Sequence, residues 1–176
     1  DKRLASLEKS LVGEMDAFTR LRDLVGNGRF KEFQYIFIDS PPSLGILTGN
    51  GLAAATHFVI PMSPALYTLQ GTNDLMDTIS KVRKTLNSGL KLLGVIINAY
   101  DSKPIITRQI KEEITEGFGD IVFSTHLSKT IKIEEAIAQK IGVTELKRLD
   151  KSRAREEVAA IGDELLKRLG DGDGQG

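Results

Sequence analysis

An apolar run that ends in an acid and two prolines constrains this chain more than any other feature. Residues 35–45 read YIFIDSPPSLG. The run from Tyr35 to Ile38 predicts a strand buried on both faces, as in parallel sheets covered by helices. Asp39 follows at the carboxyl end, where open α/β sheets bind ligands and an acid can hold a metal, and Pro41 and Pro42 stiffen the turn after it. Asp39 is therefore a candidate ligand residue, with a cap of the turn as the alternative.

The rest of the chain alternates between helical and strand-like apolar spacing, which is typical of βα units. We therefore predict an α/β fold with a parallel sheet and flanking helices. Further strands are predicted at about His57–Met62, Leu92–Asn98 and Ile121–Phe123. Helices are predicted from the apolar positions between Leu4 and Val25, Leu66 and Leu86, Ile106 and Phe118, Ile133 and Ile141, and Val158 and Leu169.

Composition excludes some classes of protein and leaves others open. The 176 residues are 40% hydrophobic, which suits one domain with a core. Lysine plus arginine and aspartate plus glutamate both total 24, so the net charge gives no overall sign of a nucleic-acid partner. The absence of cysteine excludes a disulfide scaffold and a thiolate metal site. We expect a cytoplasmic protein without a membrane span, and we interpret His57 and His126 as structural histidines.

The Asp39 segment resembles the Walker B and switch II region of ParA-type partition ATPases, which are deviant Walker P-loop relatives of MinD. Weaker similarities follow in the same order, in SPALYTLQG from Ser63, GVIINAYD from Gly94 and FGDIVFST from Phe118. The resemblance covers about residues 4 to 169. It implies a P-loop NTPase-like fold whose N-terminal strands are absent from this chain. Residues 1–169 would then be the carboxyl-terminal part of a ParA-like domain, and we expect 170–176, GDGDGQG, to be a disordered tail.

The same resemblance implies a site for ATP and Mg²⁺. Asp39 corresponds to the carboxylate that holds Mg²⁺ through water, and Pro41 lies in the switch segment beside it. Asn98 stands where relatives use an asparagine to meet the adenine edge, a task that suits an amide because it donates and accepts in one plane. A plain turn residue is the alternative for Asn98. Ser128 replaces the proline that packs on the base in many relatives.

The phosphate-binding loop of such ATPases has no counterpart in this sequence. A P-loop needs glycines whose backbone N–H groups surround the phosphates, and a lysine that offsets their charge. No Gly-Lys-Ser or Gly-Lys-Thr tripeptide occurs here. We therefore expect the parent protein to be an ATPase and this chain alone to be inactive, and we assign no catalytic residue within it.

Positive charge is concentrated between residues 129 and 155. This stretch contains eight lysines or arginines against four acids, in a chain that is neutral overall. Clustered cations bind phosphate backbones without sequence preference, whereas an ordinary solvated helix face is the alternative. The candidate DNA-binding residues are Lys129, Lys132, Lys147, Arg148, Lys151, Arg153 and Arg155.

The leading functional prediction is a plasmid or chromosome partition ATPase. The resemblance implies a homodimer formed with ATP, non-specific DNA binding, association with the nucleoid, and a centromere-binding or other partner protein that stimulates hydrolysis. A MinD-like positioning ATPase is one alternative, although such relatives usually end in an amphipathic, basic-aromatic helix and LLKRLG here passes straight into glycine and aspartate. A nucleotide-incompetent interaction fragment is another.

Overall fold

The computed structural model describes residues 2–41, 43–65, 68–145 and 152–172. It divides into two compact units, one formed by residues 1–58 and 70–92 and the other by residues 59–69 and 93–176. The helices are α1 Lys2–Leu11, α2 Arg20–Gly26, α3 Ile46–Ala54, α4 Thr68–Thr85, α5 Ile105–Phe118, α6 Ile131–Gln139 and α7 Arg153–Gly172. The strands are β1 His57–Met62 and β2 Lys91–Ile97, and short 3₁₀ turns cover Gly119–Ile121 and Val143–Glu145.

Strands β1 and β2 pair in parallel, as their apolar runs predict. Within the first unit, the Lys91 N–H donates to the Thr56 carbonyl at 3.0 Å. Within the second, the Asn98 N–H donates to the Met62 carbonyl at 2.8 Å. Both strands therefore run in the same direction, and α4 supplies the crossover connection that a parallel pair requires.

A third segment lies beside β2 in the second unit without forming a full strand. Phe123 and Leu127 donate their N–H groups to Val95 and Ile97, each at 2.8 Å. Parallel bridges join Val95 to Val122 and Tyr100 to Ser128. The strand predicted at residues 121–123 is thus reduced to an isolated bridge, because a 3₁₀ turn occupies its first residue. The predicted class, α/β with a parallel sheet and flanking helices, is confirmed.

The core of the first unit joins α3, α4 and the start of β2. The side chains of Leu52, Ile79, Val82 and Leu90 form a buried cluster. Asn87, which follows α4, donates its amide to three carbonyls at the end of α3, those of Leu52 at 2.9 Å, Ala53 at 3.4 Å and Ala55 at 2.7 Å. These bonds satisfy acceptors that a helix end leaves without intrahelical partners.

In the second unit, the guanidinium of Arg168 ties α7 to two backbone segments. It donates to the carbonyls of Leu93 and Ile121 at 3.0 Å each and to that of Val122 at 3.1 Å. Its carbon lies 4.3 Å from the centroid of the Phe123 ring. Gly94 permits this arrangement, since a Cβ there would meet Arg168 and the Phe123 ring at 2.7 Å.

The strand predicted at Tyr35–Ile38 is wrong for this structure. Residues 35–40 form no helix or strand, and Phe37 is 78% exposed. An apolar run becomes a strand only when a neighbouring strand satisfies its backbone groups. Among the described residues, the sheet consists of β1 and β2, and the 35–38 segment pairs with neither.

The predicted first helix is also divided. Apolar spacing continues from Leu4 to Val25, yet α1 ends at Leu11 and α2 begins at Arg20. Gly13 adopts a φ of 91°, a left-handed conformation typical of the residue that stops a helix.

At the other end of the chain, α7 continues to Gly172, into the segment predicted as a tail. Residues 173–176 lie outside the described residues.

Candidate nucleotide and phosphate site

Asp39 lies exposed on an irregular segment that packs on α3. Gly51 of α3 permits this packing, because a Cβ there would lie 2.9 Å from the Ser40 hydroxyl. The Thr48 hydroxyl donates to the carbonyl of Pro41 at 3.3 Å and contacts that of Ser43. The chain after Asp39 is therefore held by α3, while the carboxylate itself faces solvent and is open to a hydrated cation.

Asn98 lies where β2 ends. Its backbone is fixed by the bond to Met62, and its side chain is partly buried. The next residue, Ala99, has a φ of 51°, a left-handed conformation that costs a non-glycine residue about 1–2 kcal/mol. Tyr100 then returns to the sheet and donates its N–H to Leu127 at 2.9 Å. The chain turns sharply at the place where the sequence predicts a contact with the base.

Ser128 is hydrogen-bonded to a buried carboxylate. Glu157, which is only 7% exposed, accepts from the Ser128 N–H at 2.8 Å and from its hydroxyl at 2.7 Å. It also accepts from Arg153 Nε at 2.7 Å. Burial acts to raise the pKa of Glu157, but the bonds from Ser128 and Arg153 outweigh it and hold the pKa below the ordinary glutamate value.

The predicted nucleotide residues fall into two groups. Asp39 and Pro41 belong to the first unit, whereas Asn98 and Ser128 belong to the second. Within the second unit, the parallel bridge between Tyr100 and Ser128 brings the end of β2 beside Ser128.

Across the described ranges, no three His, Cys, Asp or Glu side chains are grouped so as to hold a metal. A cation at Asp39 would therefore depend on water and ligand oxygens for most of its shell.

The structure separates the predicted basic residues. Lys147, Arg148 and Lys151 lie outside the described residues. Lys129 is exposed, Lys132 pairs with Glu135 at 2.9 Å, and Arg153 pairs with Glu157. Arg155 is half-buried and makes an interaction of its own. In the described part of the predicted patch, Lys129 and Arg153, whose side chain is 69% exposed, therefore present the most accessible charge.

Sequence reasoning missed the polar groups that surround His126. This ring contacts Lys111 and Arg153, and its edge meets the Tyr100 ring at a centroid distance of 4.7 Å. Burial lowers the pKa of His126, and Lys111 and Arg153 lower it further against an opposing effect of Glu157. The contacts join residues far apart in sequence, so spacing along the chain carries no signal for them.

The α/β fold, with its parallel sheet and flanking helices, is of the P-loop NTPase type. Its sequence matches the AAA domain family over residues 1–92. The solved cobyrinic acid a,c-diamide synthase of Mycobacterium smegmatis, with bound ATP analogue and magnesium, superposes with a TM-score of 0.78 at 26% identity. That comparison covers 97% of this chain and 62% of the synthase chain.

Curated relatives narrow the class to one family. The chromosome partitioning protein ParA of Myxococcus xanthus is 36% identical over 167 residues, which cover 94% of this chain and 57% of the relative. The chromosome-partitioning ATPase Soj of Treponema pallidum is 35% identical over 133 residues, covering 76% and 52%. The chain belongs to the ParA/Soj family of partition ATPases, as the Asp39 segment predicts.

The match to these relatives is partial in length. The chain spans about half the length of the curated relatives it matches. Within the described residues, none of the helices combines the length and the apolar character that crossing a membrane requires.

Proposed function

We propose that this chain forms part of a ParA-type ATPase that partitions a plasmid or a chromosome. The observation that carries the proposal is the 36% identity to the ParA of Myxococcus xanthus over 94% of the chain. In the whole protein, ATP and Mg²⁺ would bind, two copies would dimerise around nucleotide, and the dimer would bind DNA without sequence preference. A partner protein, centromere-binding or other, would stimulate hydrolysis and release the DNA.

The nucleotide role assigned to Asp39 has a physical basis in its surroundings. Mg²⁺ prefers to keep several waters and to take one or two carboxylates together with phosphate oxygens. Asp39 is an exposed carboxylate on backbone that α3 restrains through Thr48. Pro41 restricts the backbone beside it. A restrained backbone with a free acid suits a cation that arrives hydrated with the nucleotide, and Asn98 and Ser128 would then serve the base.

The test is magnesium-dependent binding of a fluorescent ATP analogue to the whole protein, with Asp39→Asn compared with Asp77→Asn. Both variants remove one exposed carboxylate, and Asp77 lies on α4 outside the predicted site. We expect D39N to weaken magnesium-dependent affinity about tenfold or more, as loss of an acid that holds a metal through water does. Equal affinities for D39N and D77N would refute the assignment.

Non-specific DNA binding is assigned to the predicted basic residues between 129 and 155. Among those in the described ranges, Lys129 and Arg153 expose their charge, and Arg153 remains 69% exposed although it pairs with Glu157. A cation that reaches a phosphate releases counterions, so binding weakens as salt rises. Association with the nucleoid would follow from this binding.

Charge reversal separates a DNA contact from an ordinary surface charge. Lys129→Glu should lower DNA affinity and reduce the slope of log affinity against log salt by about 1, whatever the DNA sequence. Lys103→Glu is the matched control, since Lys103 is also exposed and lies outside the predicted patch. The assignment fails if the two variants change affinity and slope equally.

A further inference from the structure

Five side chains of the second unit form a cluster that neither the family nor the nucleotide proposal explains. The His126 cluster consists of Tyr100 after β2, Lys111 on α5, His126 beside β2, and Arg153 and Glu157 on α7. Lys111 Nζ lies 3.4 Å from His126 Nδ1, and an Arg153 terminal nitrogen lies 3.3 Å from Nε2. Two cations therefore approach the same ring, one at each nitrogen.

The hydrogen-bonding capacity of the ring cannot satisfy both cations. Ammonium and guanidinium groups only donate, whereas a neutral imidazole offers one acceptor nitrogen and one N–H. Either Lys111 or Arg153 must therefore face an N–H instead of an acceptor. Lys111 Nζ also lies 4.7 Å from the centroid of the Tyr100 ring, a cation–π contact that supplies no acceptor atom of its own. The ring therefore leaves one of the two cations without an acceptor nitrogen.

The cluster also carries a surplus of positive charge. Glu157 is its carboxylate, and both oxygens of Glu157 already accept bonds from Ser128 and Arg153. Lys111 and Arg153 against Glu157 leave a surplus of one positive charge, and a proton on His126 would raise the surplus to two. Burial and the two cations together hold the pKa of His126 below its ordinary value, against an opposing effect of Glu157.

We propose that the His126 cluster is a binding site for a dianionic tetrahedral oxyanion, such as a phosphate group, and that His126 takes up a proton on binding. The oxyanion supplies the missing acceptors to Lys111, Arg153 and protonated His126, and its two charges match the surplus of two. An oxyanion can reach the cluster at Arg153, because the side chain of Arg153 is 69% exposed. The site does not depend on the proposed nucleotide function of Asp39, and it shares only Arg153 with the proposed DNA contact.

The match of charge favours a free phosphate or a phosphate monoester over a phosphodiester, which carries a single negative charge. Sulfate is the most direct probe, because it stays dianionic throughout the pH range in which histidine titrates. The His126 ring is followed by NMR across a pH titration, with and without sulfate, at constant ionic strength set by chloride. The ring signals of His57, the other histidine of the chain, report general effects of salt.

We expect sulfate to raise the pKa of His126, and sulfate affinity to increase about tenfold between pH 8 and pH 5.5, the size expected for one added ionic contact in a partly exposed site. Lys111→Gln should weaken sulfate binding about tenfold, on the same reasoning. Lys103→Gln removes an equal charge from the loop before α5 and should change affinity little. His126→Gln should abolish the pH dependence, and it tests the proposal independently if K111Q fails to fold.

Two results with sulfate would overturn the proposal. One is a His126 titration that shifts no more with sulfate than with chloride. The other is an equal loss of affinity in K111Q and K103Q. A parallel titration with inorganic phosphate, glycerol phosphate and dimethyl phosphate identifies the source of the oxyanion. Tighter binding of the first two supports the dianion, whereas equal binding of dimethyl phosphate contradicts it and indicates a nucleic-acid backbone.

Discussion

Replacing Arg168 by methionine should strongly destabilise the second unit. The guanidinium bonds the carbonyls of Leu93, Ile121 and Val122, lies over the Phe123 ring, and pairs with Glu164 at 2.6 Å. Each carbonyl bond contributes about 1 kcal/mol net, and its loss leaves a half-buried acceptor unpaired. The ring contact adds about 1 kcal/mol. With the carbonyls only partly rehydrated, we expect Arg168→Met to lower the free energy of unfolding by about 4 kcal/mol.

The assay is urea-induced unfolding followed by far-UV circular dichroism, with the free energy taken from the midpoint and slope. Arg168→Lys should cost about half as much, because lysine keeps the charge but lacks the planar fork that reaches several carbonyls together. Lys167→Met is the control, since Lys167 is exposed on the same helix. If R168M is no less stable than K167M, the role assigned to this side chain is wrong.

Three further changes test separate parts of the structure. Asn87→Ala should cost about 2 kcal/mol in urea unfolding, because the carbonyls that end α3 lose their donor. Ala99→Gly should raise the melting temperature and add up to about 1 kcal/mol, because glycine adopts the φ of 51° without strain. Since the pKa of Glu157 is lowered on folding, its stabilisation is complete above the ordinary glutamate pKa and is lost as pH falls below it. Unfolding from pH 6 to pH 3 should therefore show a steeper loss for the wild type than for Glu157→Gln, and equal slopes would contradict the shift.

The sequence predicts those elements whose pattern is local. Residues 57–62 and 91–97 form strands because each apolar run finds the other as a parallel neighbour. The run at 35–38 has the same local pattern but no such neighbour in the described residues, so it forms no strand. Propensity cannot distinguish the two cases, because strand formation depends on a partner elsewhere in the chain.

In the candidate site as well, some residues are marked by a local sequence motif and others are defined only by contacts with distant elements. Asp39 stands out in the sequence because an acid between an apolar run and two prolines is itself a motif. Glu157, His126 and Arg168 carry no such mark, and each acquires its role from groups on other elements. Glu157 in particular lies in a charged stretch for which a solvated helix face is one of two interpretations, yet it is buried and bonded to Ser128.

The central claim is that Asp39 holds the metal of a bound nucleotide, and paramagnetic broadening by Mn²⁺ tests it most directly. In the whole protein with ATP, Mn²⁺ in place of Mg²⁺ should broaden the backbone amide signals of Asp39 and Ser40 at the lowest metal concentrations. Asp39→Asn should remove that broadening while Asp77→Asn preserves it. Sharp signals for residues 39–41 while ATP and Mn²⁺ are bound would contradict the claim.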